Sequence, residues 1–336
     1  MLLLLPIVWS YILNVTNKKD LTGSPSVVIV QPNIDPYGKF DQTTTGQQIQ
    51  ILLQLSQSAI DTSTKLLIWP ETALSAAIAV NEIDIKPEYQ PVFDFLNRNP
   101  GLTLLTGIET YKWYGSEKPG SPYARKTSNG IFYDSYNAAI TLQSNKPHQF
   151  YVKSKLVPGV ETLPTFLNFL GPVFEQFGGT TGGYAKDSAS VVFQNADNPF
   201  ASAPIICYES IYGEYVASYV QKGANLLTII TNDGWWGNTP GHKQHLAFAK
   251  LRAIETRKWI ARSANTGISA VIDSYGNILE TQPWDKAATI KANIPVTDVK
   301  TYYVKHGDFI YRGLMLLAGL LVLWMVADWI FHRVKR

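Results

Sequence analysis

Apolar positions fall into two patterns along this chain. Short continuous runs bounded by turn residues read as buried strands. They are Ser26–Gln31 (SVVIVQ), Lys65–Trp69 (KLLIW), Leu102–Ile108, Ser190–Phe193, Ala203–Cys207, Leu226–Thr231, Ile260–Ser263, Ile268–Ile272 and Thr289–Ile294. Tyr136–Leu142 and Gln149–Val152 read as a strand pair joined by a polar turn. Apolar residues at helical spacing mark Gly46–Ile60, Tyr212–Lys222 and His245–Arg257. Buried strands interleaved with helices predict an α/β protein whose sheets are covered by helices. Residues 24–299 form one folded domain, with no internal repeat and no dividing linker.

The two ends break this pattern. Gly313–Ala327 (GLMLLAGLLVLWMVA) carries no charge, and the apolar run continues past Asp328 to Phe331. That length suits a hydrocarbon core of about 30 Å, and the segment is apolar on every face. A transmembrane helix over 309–331 is expected, with the basic tail 332–336 (HRVKR) cytoplasmic. Residues 1–13 (MLLLLPIVWSYIL) are apolar but short and contain Pro6. They fit a signal peptide, an anchor, or the end of a membrane helix. Lys18 and Lys19 weigh against an external domain. The C-terminal basic flank weighs more strongly for it, so the domain is expected outside the cytoplasm.

Composition narrows the function classes. Apolar residues make up 46% and charged residues 16%, consistent with a large core plus lipid-facing surface. The net charge of +3, with basic residues clustered only in the tail, points away from nucleic acid. The single cysteine, Cys207, excludes an internal disulfide framework and a multi-cysteine zinc site.

Cys207 lies in APIICYESIYGE (Ala203–Glu214), where an apolar run meets polar and turn residues. A thiol at such a bend could be a nucleophile, although a lone cysteine in an apolar run is more often inert core. Glu71 ends a strand directly after Trp69-Pro70. It could be a general base held among apolar groups, or the first-turn residue of a helix. Lys153 and Lys155 alternate with Val152 and Ser154 along FYVKSKLV. Either lysine reads as a surface charge or as a pocket-facing oxyanion binder, with Glu161 eight residues after Lys153 able to pair with it. Trp235 and Trp236 in TNDGWWG suit a pocket wall or a structural loop. His242 and His245 lack a third ligand and read as polar surface; Gly171–Gly183 has no phosphate-loop spacing and carries no assigned chemistry.

The order of these features changes their weight. WPE, YVKSKLVPGVE, CYES and TNDGWWG, each near a strand end, resemble the nitrilase superfamily with its Glu-Lys-Cys triad. QPNIDPYGKF, IWPETAL, KSKLVPGVE, ICYESIYGE and NDGWWGNTPGHKQHLAFAKLRAIET narrow the resemblance to the apolipoprotein N-acyltransferase family, over about Gln31 to Asp273 and on into the C-terminal helix. The resemblance implies a nitrilase-like α-β-β-α sandwich. It makes Glu71 the general base, Lys153 the oxyanion stabiliser and Cys207 the nucleophile, with Glu161, Tyr208, Glu209, Trp235 and Trp236 supporting. It implies a phospholipid acyl donor, a diacylglyceryl lipoprotein acceptor, a bacterial inner-membrane location and no metal or cofactor. Members of that family carry several membrane helices before the catalytic domain. Here at most the end of one precedes it, so a fragment or a reduced form is expected, with a second polypeptide as a source of the remaining helices. Two other classes stay open: a membrane-tethered amidase acting on a small soluble amide, and an inactive binding module.

Overall fold

The structure is a computed structural model that describes residues 24–36, 44–162 and 183–334, with residues 4, 8 and 10–12 near the N-terminus. The segment 1–13, the linker before Ser24, the glycine-rich stretch to residue 182 and the last two tail residues lie largely or wholly outside the described residues.

The chain opens with β1 (Ser26–Gln31), α1 (Thr45–Ala59), β2 (Thr64–Ile68) and β3 (Leu74–Ala79). Helix α1 begins at a capping box, in which Thr44 accepts from Gln47 N while the Gln47 side chain accepts from Thr44 N. Then follow α2 (Gln90–Arg98), β4 (Thr103–Gly115), β5 (Arg125–Lys126), β6 (Phe132–Leu142) and β7 (Gln149–Val152). These strands, with β13 (Ala288–Asn293), form an 8-stranded sheet ordered β13-β1-β2-β4-β6-β5, with β3 on β4 and β7 on β6. The second sheet has 5 strands, β12-β11-β10-β9-β8. They are β8 (Ser202–Ile206), β9 (Leu226–Thr231), β10 (Trp259–Ala264), β11 (Ala270–Ile272) and β12 (Ile278–Thr281). Two helices alternate with its parallel strands: α3 (Gly213–Gln221) and α4 (Gly241–Thr256).

Side-chain alternation sorts the core into layers. Val28, Val30, Leu67 and Trp69 face α1 and α2, meeting Ile49, Leu52, Val92 and Phe95. The opposite face of the same strands, Val27, Ile29, Leu66 and Ile68, joins one continuous core with Ile205, Ile229 and Ile260 of the second sheet. That core extends to Val216 and Val220 of α3 and to Ala249 and Ala253 of α4. The layers therefore run helix, sheet, sheet, helix, and the fold is the expected α-β-β-α sandwich.

Beyond the sandwich, α5 (Tyr302–His306) lies against α3 and α4, and Tyr303 and Val304 join the core. Helix α6 (Phe309–Val334) follows. Its apolar stretch Phe309–His332 is 24 residues long with none buried. At 1.5 Å per residue it reaches about 36 Å, enough to cross a bilayer core.

Three expectations need correction. Ser190–Phe193 is not a strand. Only Phe193 pairs, exchanging both backbone bonds with Ser202. The next bonded partner in an antiparallel ladder would be Pro204, which has no N–H to give, and Ser190 is held instead by Ser218 of α3 and by Lys222 at its C-terminal end. Lys153 and Ser154 do not alternate: both are buried, because the strand ends at Val152 and the backbone turns onto Glu209. His242 and His245 are buried rather than on the surface. His242 stacks on Trp284 at 4.3 Å, and His245 sits in the ionic network behind Cys207. Sequence reading also passed over β3, α2, the edge strands β5 and β12, and α5.

Within the first sheet, β4 passes close to the end of its neighbour β2. Gly107 N donates to Pro70 O at 3.1 Å, and a Cβ on Gly107 would lie 2.3 Å from Thr72 N and 2.6 Å from Glu71 Cα. Only glycine admits that approach. Gly107→Ala is expected to destabilise the domain by about 1–3 kcal/mol through overpacking, read as a lowered urea midpoint with unchanged m-value, and to displace the Glu71 turn.

Candidate active site

Parallel strands present their carboxyl ends together, and in α/β folds ligands bind there. The ends of β2, β8 and β9 bring Glu71, Cys207 and Asn232 to one edge of the sandwich. The first sheet supplies Glu71 and the second supplies Asn232. The two join directly, with Asn232 N donating to Glu71 Oε2 at 3.1 Å.

Cys207 begins a short 3-10 turn, Cys207–Ile211, immediately after β8. Its φ is +48°, a left-handed conformation that a non-glycine residue adopts only when its surroundings impose it. The carboxylate of Glu209 imposes much of it, accepting from Ile206 N at 2.9 Å. The same carboxylate accepts from Ser154 N at 2.7 Å, Lys155 N at 3.2 Å and the Tyr151 hydroxyl at 2.5 Å. Glu209 thus ties the bend after β8 to the bend after β7. Burial pushes its carboxyl up to about 7, while the hydroxyl and backbone donors pull it down.

Lys153 follows that second bend. Its N–H still donates to Asn137 O at 2.9 Å, and its side chain is fully buried. The ammonium donates to Glu161 Oε1 at 2.7 Å and to Glu71 Oε1 at 3.0 Å. Burial alone would drive the proton off, yet Glu161 and Glu71 outweigh it and hold Lys153 well above its ordinary value as a cation. Asn137 steadies both carboxylates, donating to Glu71 Oε1 at 2.7 Å and to Glu161 Oε1 at 3.3 Å. Glu161 is fixed in turn by Val157 N at 2.8 Å on Oε2.

The Cys207 thiol lies within the field of this cluster. Burial pushes its proton affinity well up. Glu71 and Asp233 push it further, while Lys153 and a hydrogen bond from Thr231 oppose them. At rest the sulfur therefore keeps its proton. A thiol, a carboxylate and an ammonium so arranged can perform nucleophilic attack on a carbonyl, with the carboxylate as base and the ammonium as oxyanion partner.

Tyr208 is half-buried, its ring edge-on to Tyr212 at 5.5 Å. Trp235 and Trp236 lie in a 3-10 turn, Asp233–Trp236, directly beyond β9, and Trp235 is half-buried. Lys155 turns from the cluster and stacks over Tyr215 at 5.0 Å.

A second buried network lies behind Cys207, and sequence reading missed it. Asp233 pairs with Arg262 of β10 at 2.8 Å and with His245 of α4 at 2.9 Å, all three buried. Arg262 and His245 more than offset burial and hold the Asp233 carboxyl well below the usual range. The signal available was Arg262 inside an apolar strand, where a charge needs a partner. Asn137 was legible in the same way, as an amide on the parity of buried Ala139. Among the described residues no group of His, Cys, Asp or Glu is placed to hold a metal ion.

The carbon-nitrogen hydrolase family model matches residues 26–303. Among curated proteins, the apolipoprotein N-acyltransferase of Chlorobaculum tepidum is 34% identical over 88% of this chain and 56% of its own length. That of Pseudomonas aeruginosa (strain UCBPP-PA14) is 28% identical over 90% of this chain and 54% of its own. The chain thus spans about half the length of these relatives. Among solved structures, the Nesterenkonia AN1 amidase of the nitrilase superfamily superposes with a TM-score of 0.57 at 15% identity, covering 87% of this chain and 98% of that one. XC1258 of Xanthomonas campestris, a CN-hydrolase superfamily protein, gives 0.53 at 16%, covering 82% and 91%.

Glu209→Ala would leave the buried amides of Ile206 and Ser154 without their acceptor. A loss of about 2–6 kcal/mol is expected, at roughly 1–3 per orphaned group, measured by urea unfolding. Glu209→Gln, which keeps one acceptor oxygen, should lose less.

Proposed function

Because this chain belongs to the carbon-nitrogen hydrolase family, we propose that it transfers an acyl group through a Cys207 thioester, from a phospholipid to the α-amino group of a diacylglyceryl-cysteine lipoprotein. The observation that carries this reading is the buried Lys153–Glu71 pair at 3.0 Å, set against the Cys207 thiol on its left-handed turn. The names of the curated relatives support the acceptor class, and the unburied apolar helix α6 supports a lipid donor.

The chemistry follows from the charges. A free thiolate is disfavoured here, so the proton passes to Glu71 as sulfur attacks the ester carbonyl. The new oxyanion is stabilised by the Lys153 ammonium and the backbone N–H of Tyr208. Glu71 returns the proton to the departing lysophospholipid oxygen, leaving the acyl group on Cys207. The acceptor amine then attacks the thioester, Glu71 takes a proton from the nitrogen, and Cys207 leaves as the restored thiol. No redox step or added cofactor enters this balance.

Glu161 and Asn137 hold the base and the ammonium in register. Trp235 and Trp236 belong to the acyl-binding wall, and Tyr208 and Glu209 support the elbow. Residues 24–299 are the catalytic domain. Residues 309–331 cross the inner membrane with 332–336 cytoplasmic, which places the active edge on the outer face.

Incubation with a phospholipid radiolabelled in its acyl chain should label the wild-type chain through a hydroxylamine-labile bond, and Cys207→Ala should take up no label. Labelling that persists in Cys207→Ala would sink the reading. A thioester discharged by water at the same rate with and without a diacylglyceryl peptide would point instead to hydrolysis of a soluble amide. In membranes, the full chain should resist alkaline carbonate extraction, and removal of residues 309–336 should release it.

A further inference from the structure

The peptide that joins Cys207 to Tyr208 is gripped from behind. Its carbonyl, Cys207 O, accepts from His245 Nε2 at 3.0 Å and from Ser210 Oγ at 2.8 Å. His245 Nε2 also lies 2.8 Å from Ser210 Oγ. A carbonyl has no proton to give, so His245 must carry hydrogen on Nε2. The other ring nitrogen, Nδ1, faces Asp233 Oδ1 at 2.9 Å and Arg262 Nη2 at 3.1 Å. Asp233 is itself held by Arg262 Nη2 on Oδ2 at 2.8 Å and by Thr231 Oγ1 on Oδ1 at 3.0 Å. The imidazole therefore has one orientation, set from β9 and β10, and all of these side chains are buried.

A trans peptide is planar, with its N–H and C=O pointing in opposite directions. Fixing Cys207 O fixes the direction of Tyr208 N–H. That N–H is in the first turn of a helical segment, where the helix itself provides no acceptor. We infer that His245 and Ser210, backed by Asp233 and Arg262, form a positioning device that aims the Tyr208 N–H at the oxyanion site and polarises it. Donation to the carbonyl strengthens the N–H of the same peptide as a donor, as in hydrogen-bonded chains.

His245 and Ser210 are positioning residues here; they act on the reaction only through the peptide. The inference rests on the reading of Cys207 as acyl nucleophile. In the step concerned, sulfur bonds to the carbonyl carbon and the carbonyl π pair moves onto oxygen. The Tyr208 N–H meets that charge until the ester C–O bond breaks. The benefit exists only when an oxyanion forms.

That restriction supplies the test. Alkylation of Cys207 by iodoacetamide uses the same sulfur but displaces iodide from a saturated carbon, with no oxyanion. In the full-length chain, Ser210→Ala and His245→Ala should lower kcat for acyl transfer by about ten- to a hundredfold, below the 10²–10³ typical of deleting a donor outright. KM and the alkylation rate should stay within about twofold. His245→Gln, whose side-chain amide can still donate to Cys207 O, should recover part of the loss. If His245→Ala does not fold, Ser210→Ala carries the same comparison, since it removes one oxygen atom.

Unchanged kcat in Ser210→Ala and His245→Ala would overturn the inference. So would a parallel fall of alkylation and acyl transfer, because the network would then be organising the elbow as a whole. Acyl transfer that survives Cys207→Ala would overturn the underlying reading instead, whatever the His245 variants do.

Discussion

The ammonium of Lys153 is buried between two carboxylates, Glu161 at 2.7 Å and Glu71 at 3.0 Å, and the active edge is arranged around that ion. Taking each charge out of water costs several kcal/mol, and only close, fully bonded partners offset it. This structure supplies them. Asn137 bonds both carboxylates, Val157 N bonds Glu161, and Asn232 N bonds Glu71 from the opposite sheet. The last contact matters most for architecture. It makes one sheet's buried charge depend on the other sheet's strand end, so the two halves of the sandwich are in register when the charge is satisfied. Gly107 belongs to the same constraint, because its missing side chain lets β4 pass Glu71 closely enough for this arrangement.

Glu209 extends the logic to Cys207. Its four bonds join the segment carrying Lys153 to the segment carrying Cys207. The left-handed φ of Cys207 is strain that local sequence would not choose, and this carboxylate and the grip on Cys207 O stabilise it. Two ionic clusters therefore flank the thiol. One, of Glu71, Lys153 and Glu161, sets the charge around the sulfur and would face the reacting atoms on the proposed reading. The other, of Asp233, His245 and Arg262, holds the backbone from behind.

Much of this was legible in the sequence, because the layers follow simple alternation. SVVIVQ and KLLIW read as buried strands from apolar continuity alone, and the helix over Gly46–Ile60 from periodicity. Glu71 and Cys207 stood out as polar or reactive groups where apolar runs stop. The failures share a cause: side chains that bond backbone at a distance. Lys153 and Ser154 did not alternate because Glu209, more than fifty residues later, captures the Ser154 and Lys155 amides. His245 looked superficial beside polar Lys243 and Gln244, and no local pattern reveals that Asp233 and Arg262 wait for it across β9 and β10. Ser190–Phe193 failed at the missing N–H of Pro204, a residue in a different segment. Periodicity reports which face is buried; it is silent on which buried polar atoms find each other.

The charge balance around Cys207 bears on why the site would favour acyl transfer between lipids. Burial first, and then the neighbouring Glu71, hold the resting Cys207 thiol neutral against the pull of Lys153, so it is poorly reactive toward stray electrophiles. On the proposed reading, an acylated sulfur would present neither a proton nor a charge to Glu71, and the carboxylate would be free to accept a proton from the next nucleophile. A primary amine attacking a thioester must lose a proton as the C–N bond forms, and the Glu71 carboxylate, already aligned by Asn137, Lys153 and Asn232, would need no reorganisation to take it. On that reading the same groups would keep Cys207 silent before acylation and provide the base after it. On the proposed reading, amine would be selected over water by access to the edge where β2, β8 and β9 end, and a helix of membrane-spanning length leaving the domain at Phe309 would hold that edge within reach of lipid-embedded amines.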